Sequence, residues 1–600
     1  MLKKIVLPSV LLMLGYGFWI SPNFKEIAAG VSIFLFGMLF LEEGFKSFTG
    51  GVLEKLLHKT TNRTWKSLLF GIVSTSIMQS SSLVSVITIS FISAGLVTLV
   101  AGIGIIFGAN IGTTTGAWLV AAFGLKVKIA AYAMPMLVFG IVLAFQKSKY
   151  LRGVGSVLAG LGFLFLGIHY MKEGFEAFKD SFDLASYAVG GYPGLFLFAA
   201  IGAAATVVMQ SSHATLVLIL TALATGQITY ENGLALAIGA NVGTTITAII
   251  GSLSANVQGK RLAAAHVIFN VSTGVIAIAF IGQFMWTVDV ISKDIGIGAD
   301  DYTMKLAVFH TLFNLVGVVL MVPLIRRLAD FLDRILPEKD RDLAQPLYLS
   351  EAVYDFPETV LKSLKKEVWH LFDSAFEIMA HGINLHRSQI LQSADLEKTI
   401  DEDREVLDFD LDELYESKVK VLYSAIIDFI SNAQAHIPSL YAEEMFRLRR
   451  ASAEIVECVK HIKHLRKNTS RYMLSNNEYI RDEYNKMRFQ ISMILREIYR
   501  LRGEKDFDHA MAMLEMDELK AELQLDRSQL DERVARVLRD DRITPMMATS
   551  LLNDFNYVDE TARHLLDMAQ ALLVSHADLV AEAASDVVLD HDEIERASVA

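Results

Sequence analysis

Met78-Gln79-Ser80-Ser81-Ser82, followed downstream by Gly108-Ala109-Asn110-Ile111-Gly112-Thr113-Thr114, is the stretch that decides the fold, because it occurs twice. The second copies are Met209-Gln210-Ser211-Ser212-His213 and Gly239-Ala240-Asn241-Val242-Gly243-Thr244-Thr245. Both pairs are separated by about 131 residues. Upstream, Gly37 to Glu43-Gly44-Phe45 matches Gly167 to Glu173-Gly174-Phe175 at nearly the same offset. Three landmarks in one order at one spacing mark an internal duplication. Membrane helices use scattered small residues for packing. That use does not reproduce a seven-residue block with one conservative change. The repeats fall at about 27–150 and 158–285, with further spans to 335.

The residues around these blocks are apolar. Ser67 to Leu125 contains no Asp, Glu, Lys, Arg or His, and neither does Asn232 to Gly259. From Leu184 to Tyr230 the one such residue is His213. A bilayer core takes about 20 apolar residues per helix, so each run holds several spans or half-spans. The chain has 600 residues, 52% of them hydrophobic, and its mean hydropathy is +0.38. That average covers two populations, an apolar one to about residue 335 and a charged one after it. Met1-Leu2-Lys3-Lys4 before Ile5–Ile20 has the look of a signal peptide, but no small-residue cleavage site follows. It reads as a retained first span or a signal anchor. The expected fold class is all-α: a polytopic membrane bundle over 1–335, a linker over 336–350 and a soluble helix bundle over 351–600.

Polar groups in lipid need partners. Gln-Ser-Ser brings an amide and two hydroxyls to mid-membrane. Gly-Ala-Asn-x-Gly-Thr-Thr adds a second amide, two more hydroxyls and glycines that permit unusual backbone angles. Together they predict helices broken inside the membrane, or hairpins that enter and return. A broken helix offers free N–H groups to anions at one end and carbonyl oxygens to hard cations at the other. Interrupted segments paired across two halves mark a transporter's substrate site. No Lys or Arg lies in the motif-bearing runs, so an anion carried there needs co-bound cations to offset its charge.

These residues resemble the type II sodium–phosphate cotransporter family, which carries Gln-Ser-Ser-Ser followed by Gly-Ala-Asn-x-Gly-Thr in each of two repeats. His266-Val267-Ile268-Phe269-Asn270 and His310-Thr311-Leu312-Phe313-Asn314 also look like the family. The resemblance covers roughly residues 25–325. It implies inverted repeats, re-entrant hairpins and sodium-coupled phosphate symport. By motif position, Gln79, Ser80, Ser81, Ser82, Gln210, Ser211 and Ser212 would bind phosphate and sodium. Asn110, Thr113, Thr114, Asn241, Thr244 and Thr245 would support or complete those sites. His213 stands where the first repeat has Ser82, which breaks the symmetry and introduces a protonatable ring. Alternatives within the same reading are a membrane-anchored phosphate sensor and a carrier of another oxyanion.

The C-terminal part resembles the PhoU-type helical domain fused to bacterial relatives, over about 350–580. Helical periodicity starts after Pro357: Leu364, Val368, Leu371, Ala375 and Ile378 form one apolar stripe. Asp401, Glu405, Asp408 and Asp412 are spaced for one helical face. They read as a solvated acidic face or as ligands for a divalent or ferric metal. Arg326, Arg327 and Arg334 follow the last span, which places that end and the soluble part in the cytoplasm of a bacterial plasma membrane. The net charge of −12 argues against nucleic acid as a partner. A homodimer or a signalling partner would engage the soluble part. Cys458 is the single cysteine, which excludes an intramolecular disulfide. Ser212-His213 is not a hydrolase signature: no Gly-x-Ser-x-Gly elbow accompanies it and no Walker-type phosphate loop occurs, so enzymatic activity is not expected. Glu43 and Glu173 are weighed as interfacial or functional charges, and His266 and His310 as packing or gating residues.

Overall fold

The structure is a computed structural model that describes residues 2–573, apart from 61–62, 125–129, 180–188, 254, 338–344, 355 and 504–508. The chain divides into two compact units, Met1–Glu338 and Lys339–Ala600. Among the described residues every regular element is a helix.

The first unit begins with α1 (Leu2–Ile20), α2 (Pro22–Thr60), α3 (Thr64–Met78), α4 (Ser81–Ser93), α5 (Leu99–Leu119) and α6 (Ala130–Ala144). The second repeat supplies α7 (Lys149–Lys179), α8 (Gly191–Met209), α9 (Ser212–Ala224), α10 (Tyr230–Gly243) and α11 (Thr245–Ser252). Then follow α12 (Val257–Ala279), α13 (Ile281–Asp294), α14 (Tyr302–Met321) and α15 (Ile325–Ile335). Seven helical segments of the described residues are long and apolar enough to cross a membrane. Large apolar side chains such as Phe139, Phe196, Trp286 and Val319 stay exposed, as a lipid-facing surface allows. The protein is an all-α polytopic membrane protein.

Close backbone contacts fix the path of each repeat. Along α5, Gly104 lies against Thr64 and Ser67, Gly108 against Leu68, and Gly112 against Ile72 and Thr75. Residue numbers rise together, so α3 and α5 run parallel. Gly102, near the start of α5, meets Ile92 near the end of α4, so α4 runs back. Helices α3 and α4 therefore form a hairpin that enters, turns at Gln79 and returns. The second repeat copies this contact by contact: Gly239 lies against Ala199, and Gly243 against Ala203 and Thr206.

Helices α2 and α7 relate the two repeats. Gly30, Gly37 and Gly44 of α2 face Gly167, Gly160 and Gly153 of α7, in reversed order. A Cβ on Gly37 would lie 2.7 Å from the Gly160 carbonyl oxygen, and one on Gly167 would lie 2.7 Å from that of Gly30. Each contact is the image of the other under the repeat offset. The two helices are antiparallel about a local two-fold centred near Phe34 and Leu164. One repeat is thus inverted relative to the other.

The second unit contains α16 (Pro357–Gly382), α17 (Arg387–Gln392), α18 (Leu396–Glu402), α19 (Leu411–Leu414) and α20 (Lys420–Ala433). It is completed by α21 (Ala442–Tyr472), α22 (Glu478–Gly503), α23 (His509–Arg539) and α24 (Pro545–Leu573). The stripe Leu364, Val368, Leu371, Ala375 and Ile378 is buried in one core. Cys458 is also buried, and desolvation pushes its thiol pKa up, so it is a poor nucleophile. Fully buried Arg488 donates to the carbonyls of Ile383, Asn384 and Ile400 at 2.9–3.2 Å, satisfying chain segments that leave the helices.

The expected carboxylate face over Asp401–Asp412 does not form. Helix α18 stops at Glu402 and the chain is non-helical through Asp410. Arg466 binds the Leu407 and Phe409 carbonyls, and Arg404 reaches the Met473 carbonyl. Asp401 accepts from Asn485, and Asp412 pairs with Lys463. Glu405 and Asp408 lie on the non-helical stretch between them. Among the described residues, no group of three or more His, Cys, Asp or Glu gathers to hold a metal.

Buried Asp554 accepts from Tyr484 and Asn468 at 2.5 and 2.8 Å. Desolvation raises its pKa despite both bonds. A carboxyl raised on folding supports stability at low pH, and that support is lost as pH rises through the folded value. Asp554→Asn keeps an acceptor for both donors and removes the ionisation. It is expected to raise the unfolding midpoint at neutral pH, with the gain vanishing below the ordinary carboxylate range. Thermal unfolding of the full chain between pH 3 and 8 checks this; a gain that persists at the acid end contradicts it.

Candidate functional site

The Gln-Ser dipeptide is the hairpin turn itself. Gln79 and Gln210 have φ of 52° and 54°, left-handed values that cap α3 and α8. Such a conformation costs a residue with a Cβ about 1–3 kcal/mol and concentrates at functional sites. The next serines start the returning helices. Ser80 Oγ accepts from the Leu83 N–H at 3.2 Å, and Ser211 Oγ from the Ala214 N–H at 3.1 Å. Each glutamine amide donates back to the helix it ends, Gln79 to the Ser76 carbonyl and Gln210 to the Val207 carbonyl, both at 2.5 Å. Gln79 also donates to Thr115 Oγ1 at 3.0 Å, tying its hairpin to α5.

Both tips open into one cavity of about 470 Å³. Gln79, Ser80, Ser81, Ser82 and Thr113 line it from the first repeat, and Gln210, Ser211, Ser212 and His213 from the second. The N-termini of α4 and α9 converge there, presenting N–H groups not used inside the helices. One face of α2 closes the wall with Leu35, Met38, Leu39 and Glu42. No Lys or Arg of the described residues lines the cavity.

Asn110, Thr114, Asn241, Thr244 and Thr245 do not line it. Asn110, Thr114, Thr244 and Thr245 are buried and hydrogen-bond carbonyls three or four residues earlier in the chain at 2.8–3.1 Å. Asn241 instead joins a cross-helix network. Its Nδ2 donates to Asn314 Oδ1 at 2.9 Å, and its Oδ1 lies 3.1 Å from His310 Nε2. The His-x-x-x-Asn element of α14 therefore braces the second Gly-Ala-Asn block from behind. In α12, Asn270 Nδ2 donates to the His266 carbonyl at 3.1 Å. Glu43 and Glu173 are exposed, and Glu173 lies 3.3 Å from His169.

The two repeats differ in how the last residue of the Gln-Ser-Ser-x block is packed. In one half, Thr247 Oγ1 donates to Ser82 Oγ at 3.2 Å. The image of Thr247 under the repeat offset is Gly116, and that of Ser82 is His213. A Cβ on Gly116 would fall 1.7 Å from His213 Cε1. The imidazole occupies the space that a side chain at 116 would need. It also stacks on Phe34, with ring centroids 5.8 Å apart and planes 13° off parallel.

The sequence reading missed Glu42, Thr247 and Gly116. Extending the repeated block past Thr114 and Thr245 would have found the last two. The repeat pairs Glu43 with Glu173 and Glu42 with Lys172, so the sequence pattern pointed to Glu43, whereas packing brings Glu42 to the cavity.

Residues 33–173 and 195–298 match the family model described as Na+/Pi-cotransporter. The chain is 29% identical over 318 residues to "Uncharacterized protein YqeW" of Bacillus subtilis, covering 52% of this chain and 98% of that protein. It is 25% identical over 493 residues to "Putative inorganic phosphate export protein YjbB" of Escherichia coli K12, covering 80% of this chain and 81% of that one. The Salmonella typhimurium protein of the same name is 25% identical over 437 residues, 72% of this chain and 74% of that one. No solved structure gives a significant match. With both of its repeats matched to that model, the membrane unit is of the Na+/Pi-cotransporter family.

Proposed function

We propose that the protein is a sodium-coupled carrier of inorganic phosphate in a bacterial plasma membrane, with its substrate held between the two Gln-Ser tips. The observation that carries this reading is the convergence of Gln79–Ser82 and Gln210–His213 on one cavity that no Lys or Arg lines. Each helix N-terminus supplies about half a positive charge, so α4 and α9 together offset about one. A phosphate dianion then leaves about one negative charge for cations to balance. Serine, threonine and glutamine oxygens suit a hard alkali ion, and the Ser82–Thr247 hydroxyl pair is one such ligand set. Tight helix packing around the tips lets the inverted halves rock about the site.

Arg326, Arg327 and Arg334 at the end of the membrane unit favour a cytoplasmic location for the soluble bundle. That bundle is proposed as a PhoU-like regulatory domain. Radiolabelled phosphate flux in proteoliposomes, with and without a sodium gradient, tests the coupling. Flux is expected to follow the gradient and to fall to background when potassium replaces sodium. Sodium-independent flux would remove the coupling, and binding without flux would favour a sensor. The names of the enteric relatives add export as a second reading, decided by comparing flux in the two membrane orientations.

A further inference from the structure

The inverted repeats build the same slot twice and fill it differently. In one copy, Ser82, which lines the cavity, and Thr247 behind it set two hydroxyl oxygens 3.2 Å apart. In the other, the oxygens are gone: Gly116 has no side chain, and the His213 ring fills the space. The substitution is matched on both sides, small for large and large for small. A slot with an imidazole and no hydroxyl pair cannot offer the oxygen cage that a hard alkali cation prefers. It can hold a proton instead. His213 Nδ1 is buried and makes no hydrogen bond in the structure.

The surroundings leave His213 as the group that can carry that charge. Helix α2 brings Phe34 against the ring and Glu42 to the same cavity. From α14, His310 also has a buried Nδ1 without a hydrogen bond, but its Nε2 is engaged with Asn241 and it does not line the cavity. Helices α5 and α11 carry no ionisable residue, α8 carries only Tyr192, and the Tyr230 and Glu231 of α10 sit at its opposite end. On α7, His169 and Lys172 lie beside Glu173 and Glu176 of their own helix.

We propose that the second repeat carries a proton on His213 where the first carries an alkali cation between Ser82 and Thr247, so that the coupling ions are chemically unlike. The inference rests on the phosphate-carrier reading and adds a second coupling ion to it. Protonation from water on the side to which the cavity is open would give an imidazolium facing the anion. Release on the other side returns the neutral ring, and no other atom changes hands.

The test uses full-length protein in proteoliposomes with equal sodium on both sides and an imposed pH difference. One pH unit drives about tenfold accumulation for each proton co-moved. Wild type is expected to accumulate phosphate under this gradient. His213→Ser, and His213→Ser combined with Gly116→Thr, are expected to lose this response, read as the ratio of proton-driven to sodium-driven accumulation on the same vesicles falling to background. The paired variant restores the hydroxyl pair in both halves, so its sodium Hill coefficient should rise by about one. Titration of phosphate itself is common to all the proteins and cancels in the comparison. Gly116→Thr alone should unfold at a lower temperature than the paired variant, because only the pair removes the ring that the new Cβ would strike. His213→Gln replaces His213→Ser if the latter does not fold. Proton-driven accumulation that survives in these variants, or that is lost only in His310→Gln, overturns the inference. Absence of sodium-driven flux in wild type would instead overturn the carrier reading beneath it.

Discussion

Gln79→Ala and Gln210→Ala are each expected to lower sodium-driven phosphate flux by between about tenfold and 100-fold, because a hydrogen bond to a charged group is worth about 1.5–3 kcal/mol. Each amide sits at a hairpin tip lining the shared cavity, and its NH2 group already holds the last turn of the preceding helix. Removing it takes away, at Gln210, an N–H free for the anion and, at Gln79, whose two amide hydrogens are both engaged, a carbonyl oxygen for a cation, and it loosens the turn that aims the following helix N-terminus. Gln79 also fastens its hairpin to Thr115. The image of Thr115 is Ile246, which has no hydroxyl. The first-repeat substitution should therefore cost more than the second. Gln79→Gly separates backbone from side chain: glycine adopts φ of 52° without strain, so this variant should fold at least as well as wild type and still transport poorly. Flux with unfolding midpoints on the same preparations gives the answer. Wild-type flux in both alanine variants would remove the glutamines from the site.

Gly239→Val should prevent assembly of the second hairpin. A Cβ there would fall 1.9 Å from the Ala199 carbonyl oxygen. That neighbour is backbone, so the clash is relieved only by parting α8 from α10. Overpacking commonly costs about 1–3 kcal/mol, and more where backbone must move. The expected result is loss of monodisperse protein on purification. Gly233→Ala is the control in the same helix, since the nearest atom to its Cβ would be 3.7 Å away. A Gly239→Val protein that purifies and melts like wild type would show that close backbone approach is not what holds the hairpin.

Much of the candidate site was legible before the fold was known. The duplicated Gln-Ser-Ser and Gly-Ala-Asn blocks are polar islands in apolar runs, and lipid gives such groups few alternatives to a shared cavity. Gln79, Ser80, Ser81, Ser82, Thr113, Gln210, Ser211 and Ser212 all meet there. Of the threonines and asparagines expected to support or complete the site, Thr113 lines the cavity and the others lie outside its lining. The acidic set at 401–412 misled for a local reason. A four-three-four spacing has meaning only on an unbroken helix, and arginines from α21 and the 403–410 stretch itself hold that segment out of one.

Repetition and apolarity are properties of residue order alone, so the amino-acid sequence by itself determined a membrane unit built of two copies, a polar cluster in each, and a charged helical part after it. Direction and facing belong to contacts between distant residues. Whether the interrupted segments were broken helices or hairpins depended on α3 running parallel to α5. Which carboxylate of Glu42 and Glu43 reaches the cavity, and how Gly116 makes room for His213, were likewise decided by tertiary packing. In helices that are apolar all round, no amphipathic pattern marks the inward face, so only the assembled neighbours can assign it.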